Sequence, residues 1–182
     1  MFLEGGVREV DSSTAPSIAA AMGAEGDLVA ARMARGCRCF SAWLGDDLAG
    51  YGWLSTKPEW IGELELVITP GEGDGYIWNC LTLEPYRRRG VLRALLAGIR
   101  EQAHDEGFSR LWIGSVAIPA QRAFGPSGFT PALAFASELI AGYRWIQVAP
   151  AAGADPALVA AAHKVVAVPP GRFLRLSHPR RH

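Results

Sequence analysis

The sequence predicts an α+β fold: a mixed, mostly antiparallel sheet with one central βαβ crossover and flanking helices. Three observations carry this expectation. First, an apolar run at 77–83 and another at 109–116 are separated by a helix of about 18 residues, the form of a parallel βαβ unit. Second, the run at 38–44 and the run at 48–56 flank Gly45-Asp46-Asp47, a hairpin signal. Third, the runs at 129–139 and 143–148 flank Ala141-Gly142 and suggest a final hairpin. A single crossover excludes a doubly wound nucleotide fold. There is also no G-x-G-x-x-G and no G-K-[ST] to cradle a nucleotide.

Taken in order, residues 7–10 form a short first strand. Asp11, Ser12, Ser13 and Thr14 offer caps for a helix at 17–22, which Gly23 and Gly26 break. Asp27 caps a second helix at 28–35, closed by Gly36. This alanine-rich region contains no residue that declares a chemical role. Trp43, Tyr51 and Trp53 give the first hairpin its large apolar area. Between 61 and 69, Glu63 and Glu65 alternate with Leu64, Leu66 and Ile68, the period of a half-exposed strand. A glycine-rich turn at 70–75 precedes the central strand, and Pro85, which cannot donate to a ladder, ends it. Val91, Leu92, Leu95, Leu96 and Ile99 then recur at helical spacing until Gly107 stops the helix. A short helix at 118–125 carries Pro119 in its first turn and ends at Pro126-Ser127-Gly128. The sequence at 149–156 reads as a linker. It divides a domain at 1–150 from an extension at 151–182, built of a helix at 157–166, an edge strand at 173–176 and a basic tail.

With 182 residues, 49% of them hydrophobic, the chain is long enough to bury a core and too apolar to be disordered. No stretch reads as a membrane span or a signal peptide, so a cytoplasmic protein is expected. Cys37, Cys39 and Cys80 fit neither a disulfide framework nor a four-ligand zinc site, and no metal is expected. Net charge is zero, yet residues 1–150 carry −4 and residues 151–182 carry +4. Lys164, Arg172, Arg175, Arg180 and Arg181 make too weak a footprint to argue for nucleic acid.

The segment at 76–107 organises the rest. A buried strand leads through Arg87, Arg88, Arg89 and Gly90 into a helix. Such a turn delivers cationic side chains and unpaired backbone N–H groups to one place, and so is suited to an anion. The pyrophosphate of a coenzyme is the anion read here. Asn79 on the central strand is a polar candidate for orienting substrate or water. Glu63 and Glu65 are candidates for a general base, with a solvated strand face as the alternative.

Leu81-Thr82-Leu83-Glu84-Pro85-Tyr86-Arg87-Arg88-Arg89-Gly90-Val91 resembles the acetyl-CoA-binding segment of the GNAT superfamily of N-acetyltransferases. Arg87 and Gly90 match fixed positions of the family pattern, while Leu92 stands where a second small residue is usual. The segment from Pro119 to Phe129 is similar to the family's later motif; Ala120, Gly128 and Phe129 match. Ala117 stands where Asn is common, and Phe124 where a proton-donating Tyr is common. The resemblance implies acetyl-CoA as co-substrate and attack by an amine of a small molecule or peptide. It implies that Leu81 and Leu83 offer backbone to the pantetheine arm. The pyrophosphate falls to the turn and helix start: Arg87, Arg88, Arg89, Gly90, Val91, Leu92 and Arg93. Phe124 would line the arm. A catalytically weak acyl-CoA-binding module of the same fold stays open, as does a protein-interaction domain using the basic tail. Strands in 129–148 could pair across a homodimer.

Overall fold

The computed structural model describes residues 5–115 and 118–177. Ala117, Arg180 and Arg181 lie outside them. In chain order the elements begin with β1 (Val7–Glu9), α1 (Ala15–Met22), α2 (Leu28–Ala34), β2 (Arg38–Leu44) and β3 (Asp47–Ser55). Next come β4 (Glu59–Ile61), β5 (Leu66–Ile68), β6 (Asp74–Thr82), α3 (Val91–Asp105), β7 (Arg110–Ile113) and α4 (Ile118–Phe124). The chain closes with β8 (Leu133–Ile140), β9 (Tyr143–Pro150), α5 (Pro156–Val166) and β10 (Gly171–Leu176). It forms two compact units: Met1–Lys57 with Glu72–Gly128, and Pro58–Gly71 with Phe129–His182.

The first unit holds a five-stranded sheet in the order β1-β2-β3-β6-β7. β6 and β7 are parallel and joined through α3, so the predicted crossover is present; the other ladders of this sheet are antiparallel. α3 buries Val91, Leu95, Leu96, Ile99 and Ala103, one stripe at helical spacing. Each large side chain in that stripe contributes roughly 1.5–3 kcal/mol by leaving water. A second cluster joins Ile18 and Val29 of the first two helices to Cys37, Cys39, Tyr51 and Trp53. Arg38 at the start of β2 binds Glu9 at 2.6 and 2.8 Å and also pairs with Glu106 behind α3. Arg38 and Gln102 hold the Glu106 carboxyl at about 2, below its ordinary 4.5.

The second unit holds the sheet β10-β9-β8 and the two-stranded β4-β5 ribbon. Here the structure departs from the strand predicted at 61–69. Residues 62–65 form a turn, the Glu65 N–H bonds Gly62 O at 3.3 Å, and Glu65 takes a left-handed φ of 51°. The alternation of glutamate and leucine is therefore a turn at its centre, with short strands on either side. β8 begins at Leu133 rather than 129, after Pro131, which has no N–H for a ladder. β9 pairs with β10 from Val148↔Gly171 to Tyr143↔Leu176, so one sheet spans the boundary expected near residue 150.

Glu65 is a buried charge of this unit, 2% exposed, as is Glu59 at 4%. Its Oε1 accepts from Arg144 Nε at 3.1 Å and Nη2 at 3.0 Å, and from Ser177 Oγ at 2.5 Å. Arg175 donates to Leu64 O at 2.9 Å and to Glu65 O, pinning the strained turn. Breaking a buried pair from one side strands the other charge, which costs on the order of 3–5 kcal/mol. Arg144→Ala is therefore expected to lower unfolding free energy by about that amount in urea titrations. Glu106 gives a pH signature of opposite origin. Its folded-state pKa is depressed, so its contribution is present above about 4.5 and is lost as pH falls through about 2. Glu106→Gln should flatten the acid limb of stability across that window, read by chemical denaturation at stepped pH.

Candidate functional site

The central strand is irregular where chemistry would need it to be. In the β3–β6 ladder Trp53 faces Trp78, but Tyr51 faces Leu81. Two steps on β3 meet three on β6, which is a β-bulge at Asn79-Cys80. Asn79 accordingly takes a φ of 44°, a left-handed conformation that asparagine tolerates better than most residues. Gly52 lies opposite. A Cβ there would sit 2.8 Å from Cys80 Sγ and 3.2 Å from a Leu95 methyl. The bulge folds inward because residue 52 has no side chain. On its other edge β6 pairs with β7 only as far as Ile77↔Ile113, whereas β6 continues to Thr82. Beyond Ile77, no ladder covers that edge of β6 among the described residues, and its backbone groups are open to an extended amide-bearing ligand.

The strand then delivers the chain to the arginine turn. The Leu83 N–H bonds Ala49 O at 2.9 Å, and Leu83 O accepts from Tyr86 N at 2.9 Å. Leu83 thus has both backbone groups engaged, which leaves Leu81 and its neighbours in the bulged stretch. Arg88 and Gly90 both have positive φ, 63° and 79°, and Gly90 is the N-cap of α3. No side chain caps this helix, and its first i→i−4 bond is Ala94 N to Gly90 O at 3.0 Å. The N–H groups of Val91, Leu92 and Arg93 precede that bond and carry the positive end of the helix dipole. Arg87 makes only a 4.0 Å contact with Glu84, both largely exposed. Arg88, Arg89 and Arg93 are exposed as well.

Gly90, Arg93, Ala94, Ala97 and Pro126 line a cavity of about 180 Å³. Its far wall is the 3-10 turn Gly125–Ser127 that follows α4. Arg100 Nη1 donates to Ser127 O at 2.9 Å, and Ser127 Oγ donates to Ala123 O at 2.7 Å. Gly128 has a φ of 88°, and a Cβ on it would lie 2.0 Å from Arg100 Nη1. The later motif is thus tied to α3 through Arg100, and the positive φ of Gly128 favours glycine there. Phe124 ends α4 directly before this turn.

The expected residues fall in different places. Asn79 and the whole stretch from Leu81 to Arg93 belong to the first unit, with Phe124. Glu63 and Glu65 belong to the second unit, where Glu63 is exposed in the turn and Glu65 is occupied by Arg144 and Ser177. Sequence reasoning missed Glu25 and Arg32. Their carboxylate and guanidinium pair at 2.9 Å. The Asn79 amide lies beside both: with its oxygen turned to the guanidinium it accepts from Arg32 at 3.0 and 3.3 Å, and in the opposite orientation its Nδ2 donates instead to Glu25 Oε2 at 3.3 Å. The available signal was an arginine one turn on from the buried Val29 of a short apolar helix. The thiols nearby are inert. Burial pushes Cys80 and Cys39 up to about 12, so neither is a thiolate at neutral pH.

A parallel βαβ unit whose first strand bulges, parts from its neighbour and runs into an uncapped, arginine-flanked helix defines a coenzyme-binding acyltransferase fold. The chain belongs to the GNAT acetyltransferase family: its sequence matches the Acetyltransferase (GNAT) family over residues 12–129. Solved structures agree on the fold. The yncA putative acetyltransferase of Salmonella typhimurium with acetyl-CoA superposes with TM-score 0.56 at 15% identity, covering 73% of this chain and 83% of that one. The aminoglycoside acetyltransferase AAC(6')-Iy, bound to the bisubstrate analogue CoA-S-monomethyl-acetylneamine, gives 0.54 at 14% identity over 68% and 89%. The ribosomal-protein-alanine N-acetyltransferase of Brucella melitensis biovar Abortus 2308 gives 0.53 at 14% identity over 74% and 97%. No curated protein matches the sequence.

Gly52→Ala tests the bulge. The added methyl must displace Cys80 or Leu95, so the variant is expected to stay folded and to weaken acetyl-CoA affinity at least fivefold by calorimetry, about 1 kcal/mol. An unchanged affinity would detach the bulge from coenzyme binding.

Proposed function

We propose that the protein transfers the acetyl group of acetyl-CoA to a primary amine by direct attack in a ternary complex. One observation carries the reading. The open edge of β6 from Trp78 to Thr82, the bulge within it and the uncapped start of α3 follow one another in the order of acyl group, pantetheine arm and pyrophosphate along a coenzyme. The N–H groups of Val91, Leu92 and Arg93, with Gly90 allowing their close approach, hold the pyrophosphate. Arg87, Arg88, Arg89 and Arg93 add charge around it. Backbone groups of the stretch at 80–82 meet the amides of the arm. At the bulge, a backbone N–H released from the ladder meets the carbonyl oxygen as it becomes an oxyanion, where a fixed donor is worth most.

Direct attack is supported by the thiols. A cysteine acyl-enzyme would need a thiolate, and burial pushes the thiol at the bulge, Cys80, up to about 12. The amine nitrogen therefore attacks the thioester carbon itself, the C–S bond breaks, and the coenzyme departs as thiolate. Phe124 cannot protonate that thiolate, and none is required, because a thiol with pKa near 8.5 is an acceptable leaving group. The acceptor ammonium gives one proton to water before it attacks, and the nitrogen of the tetrahedral adduct gives a second to water as the C–S bond breaks. No metal has a part in these steps. The neighbours' acceptors, an aminoglycoside analogue in one and a ribosomal-protein alanine in another, differ too much for the fold to choose a substrate.

A second reading keeps the coenzyme and drops turnover; Leu92 at a usual small position and Phe124 at the usual acid favour it. Calorimetry with acetyl-CoA and thiol release with an amine panel separate the two. Binding is expected, and Arg88→Glu with Arg89→Glu should weaken it by tenfold or more, about 1.4 kcal/mol. Absence of binding at high micromolar coenzyme would overturn both readings, whereas binding without thiol release would leave the second.

A further inference from the structure

The acyl-transfer steps leave one buried cluster of the first unit without a part. Arg32 lies with its side chain 9% exposed, its guanidinium carbon 4.6 Å from the Trp78 ring centre and 5.3 Å from that of Trp53. The two indoles face each other across the β3–β6 ladder, 6.3 Å apart and tilted by 38°. A guanidinium is weakly hydrated and stacks well on aromatic faces, so this setting fixes Arg32 in place before any ligand arrives.

Donors outnumber acceptors around it. The guanidinium carries five N–H groups. It gives one to Glu25 and others to the Asn79 oxygen and, at 4.0 Å, to the Met22 sulfur. The indole N–H groups of Trp53 and Trp78 are buried without a partner among the described residues. Tyr51 is a further donor, because burial pushes its phenol up to about 12; Arg32 opposes that shift and Glu25 adds to it, so the ring lies within the field of both. Its hydroxyl has no hydrogen-bond partner among the described residues. Orphaned buried donors are uncommon, and the two indole N–H groups on the rings that stack with a fixed cation call for an acceptor.

The carboxylate already there is not built in like the rest. Glu25 is 50% exposed and comes from the 3-10 turn Gly23–Glu25, between Gly23, at a φ of 60°, and Gly26. It reaches Arg32 from the solvent side on a short glycine-bounded turn, whereas Arg32, Trp53 and Trp78 are held by α2 and the sheet.

We propose that Arg32 is the anion-receiving group of the acceptor site, and that Glu25 stands in for a carboxylate of the acceptor, which displaces it. The acceptor is then an amine that bears a carboxylate close to the reacting nitrogen, a free amino acid in class. Exchange of one carboxylate for another keeps the buried guanidinium paired throughout, whereas an uncharged or cationic acceptor gives Glu25 nothing to yield to. A carboxylate also fits the planar fork of a guanidinium with two parallel bonds. Asn79 sets the spacing. Its side chain touches Arg32 while its backbone makes the bulge, so anion and reacting carbonyl are one side chain apart. A peptide N-terminus, with its carboxylate many residues away, does not meet that spacing. This assignment rests on the acyl-transfer reading, since the bulge is taken as the place of reaction.

The test measures thiol release from acetyl-CoA with the free amino acids and, in parallel, their C-terminal amides. At least one free acid should turn over, with kcat/KM tenfold or more above its amide. Glu25→Ala should lower KM for that acid severalfold with acetyl-CoA affinity unchanged, because a competing carboxylate has gone; loss of a merely structural contact would not improve KM. Arg32→Gln should erase the preference for acid over amide, and Arg32→Lys should restore part of it. If the Arg32 variants fail to fold, the Glu25→Ala result and the acid-to-amide ratio of the unaltered protein decide. The assignment is overturned if amides match their acids, if Glu25→Ala raises KM, or if no amino acid turns over while acetyl-CoA binds. Failure of acetyl-CoA to bind the unaltered protein is a distinct outcome, which overturns the acyl-transfer reading and this one together.

Discussion

The Cys80 side chain occupies the space that Gly52 leaves empty. That contact lets the central strand carry one more residue than its partner, and much of the site follows from it. With the extra residue at Asn79-Cys80, the strand loses register, Asn79 turns to positive φ, and backbone groups leave the ladder. The same contact buries the thiol and keeps it protonated. One packing choice therefore frees backbone groups of the central strand and pushes the pKa of the cysteine beside them upward.

The second constraint is the way α3 is fastened at its middle and its end. Its start is left uncapped, so unpaired N–H groups remain for an anion. Its middle holds Arg100, which fixes the Gly125–Ser127 turn and makes the wall of the cavity at Pro126. Its end is held by the Arg38–Glu106 pair. A helix anchored in this way keeps its uncapped first turn in a fixed place beside the sheet.

Charge in the two units follows different logic. In the second, Glu65 is buried, multiply bonded and fixed in a strained turn, so its part is to hold β5, β9 and Ser177 together. In the first, Glu25 is half-exposed and meets a buried, stacked arginine. A carboxylate with several fixed partners is architecture; one with a single firm partner and access to water can move. By that criterion Glu25 is free to move, whereas Glu65 is held.

The elements of the first unit were legible because their signals are local. Apolar period, turn residues and caps act within a few positions, and they placed the crossover, the first hairpin and the arginine turn. Gly90 and Gly128 were legible too, since each meets a backbone demand written in its own neighbourhood. The turn at 62–65 was not, because the pull that bends it comes from Arg144 and Arg175, some eighty and more positions on. Nor was the bulge, which depends on a missing side chain on another strand, or the pairing of Glu25 with Arg32 beside Asn79. Short-range patterns in the chain set the fold class, the family and the arginine turn before α3. Tertiary structure alone decided which charges are buried, which thiol is silenced and which residues meet at the bulge, since those depend on contacts between segments that no local period encodes.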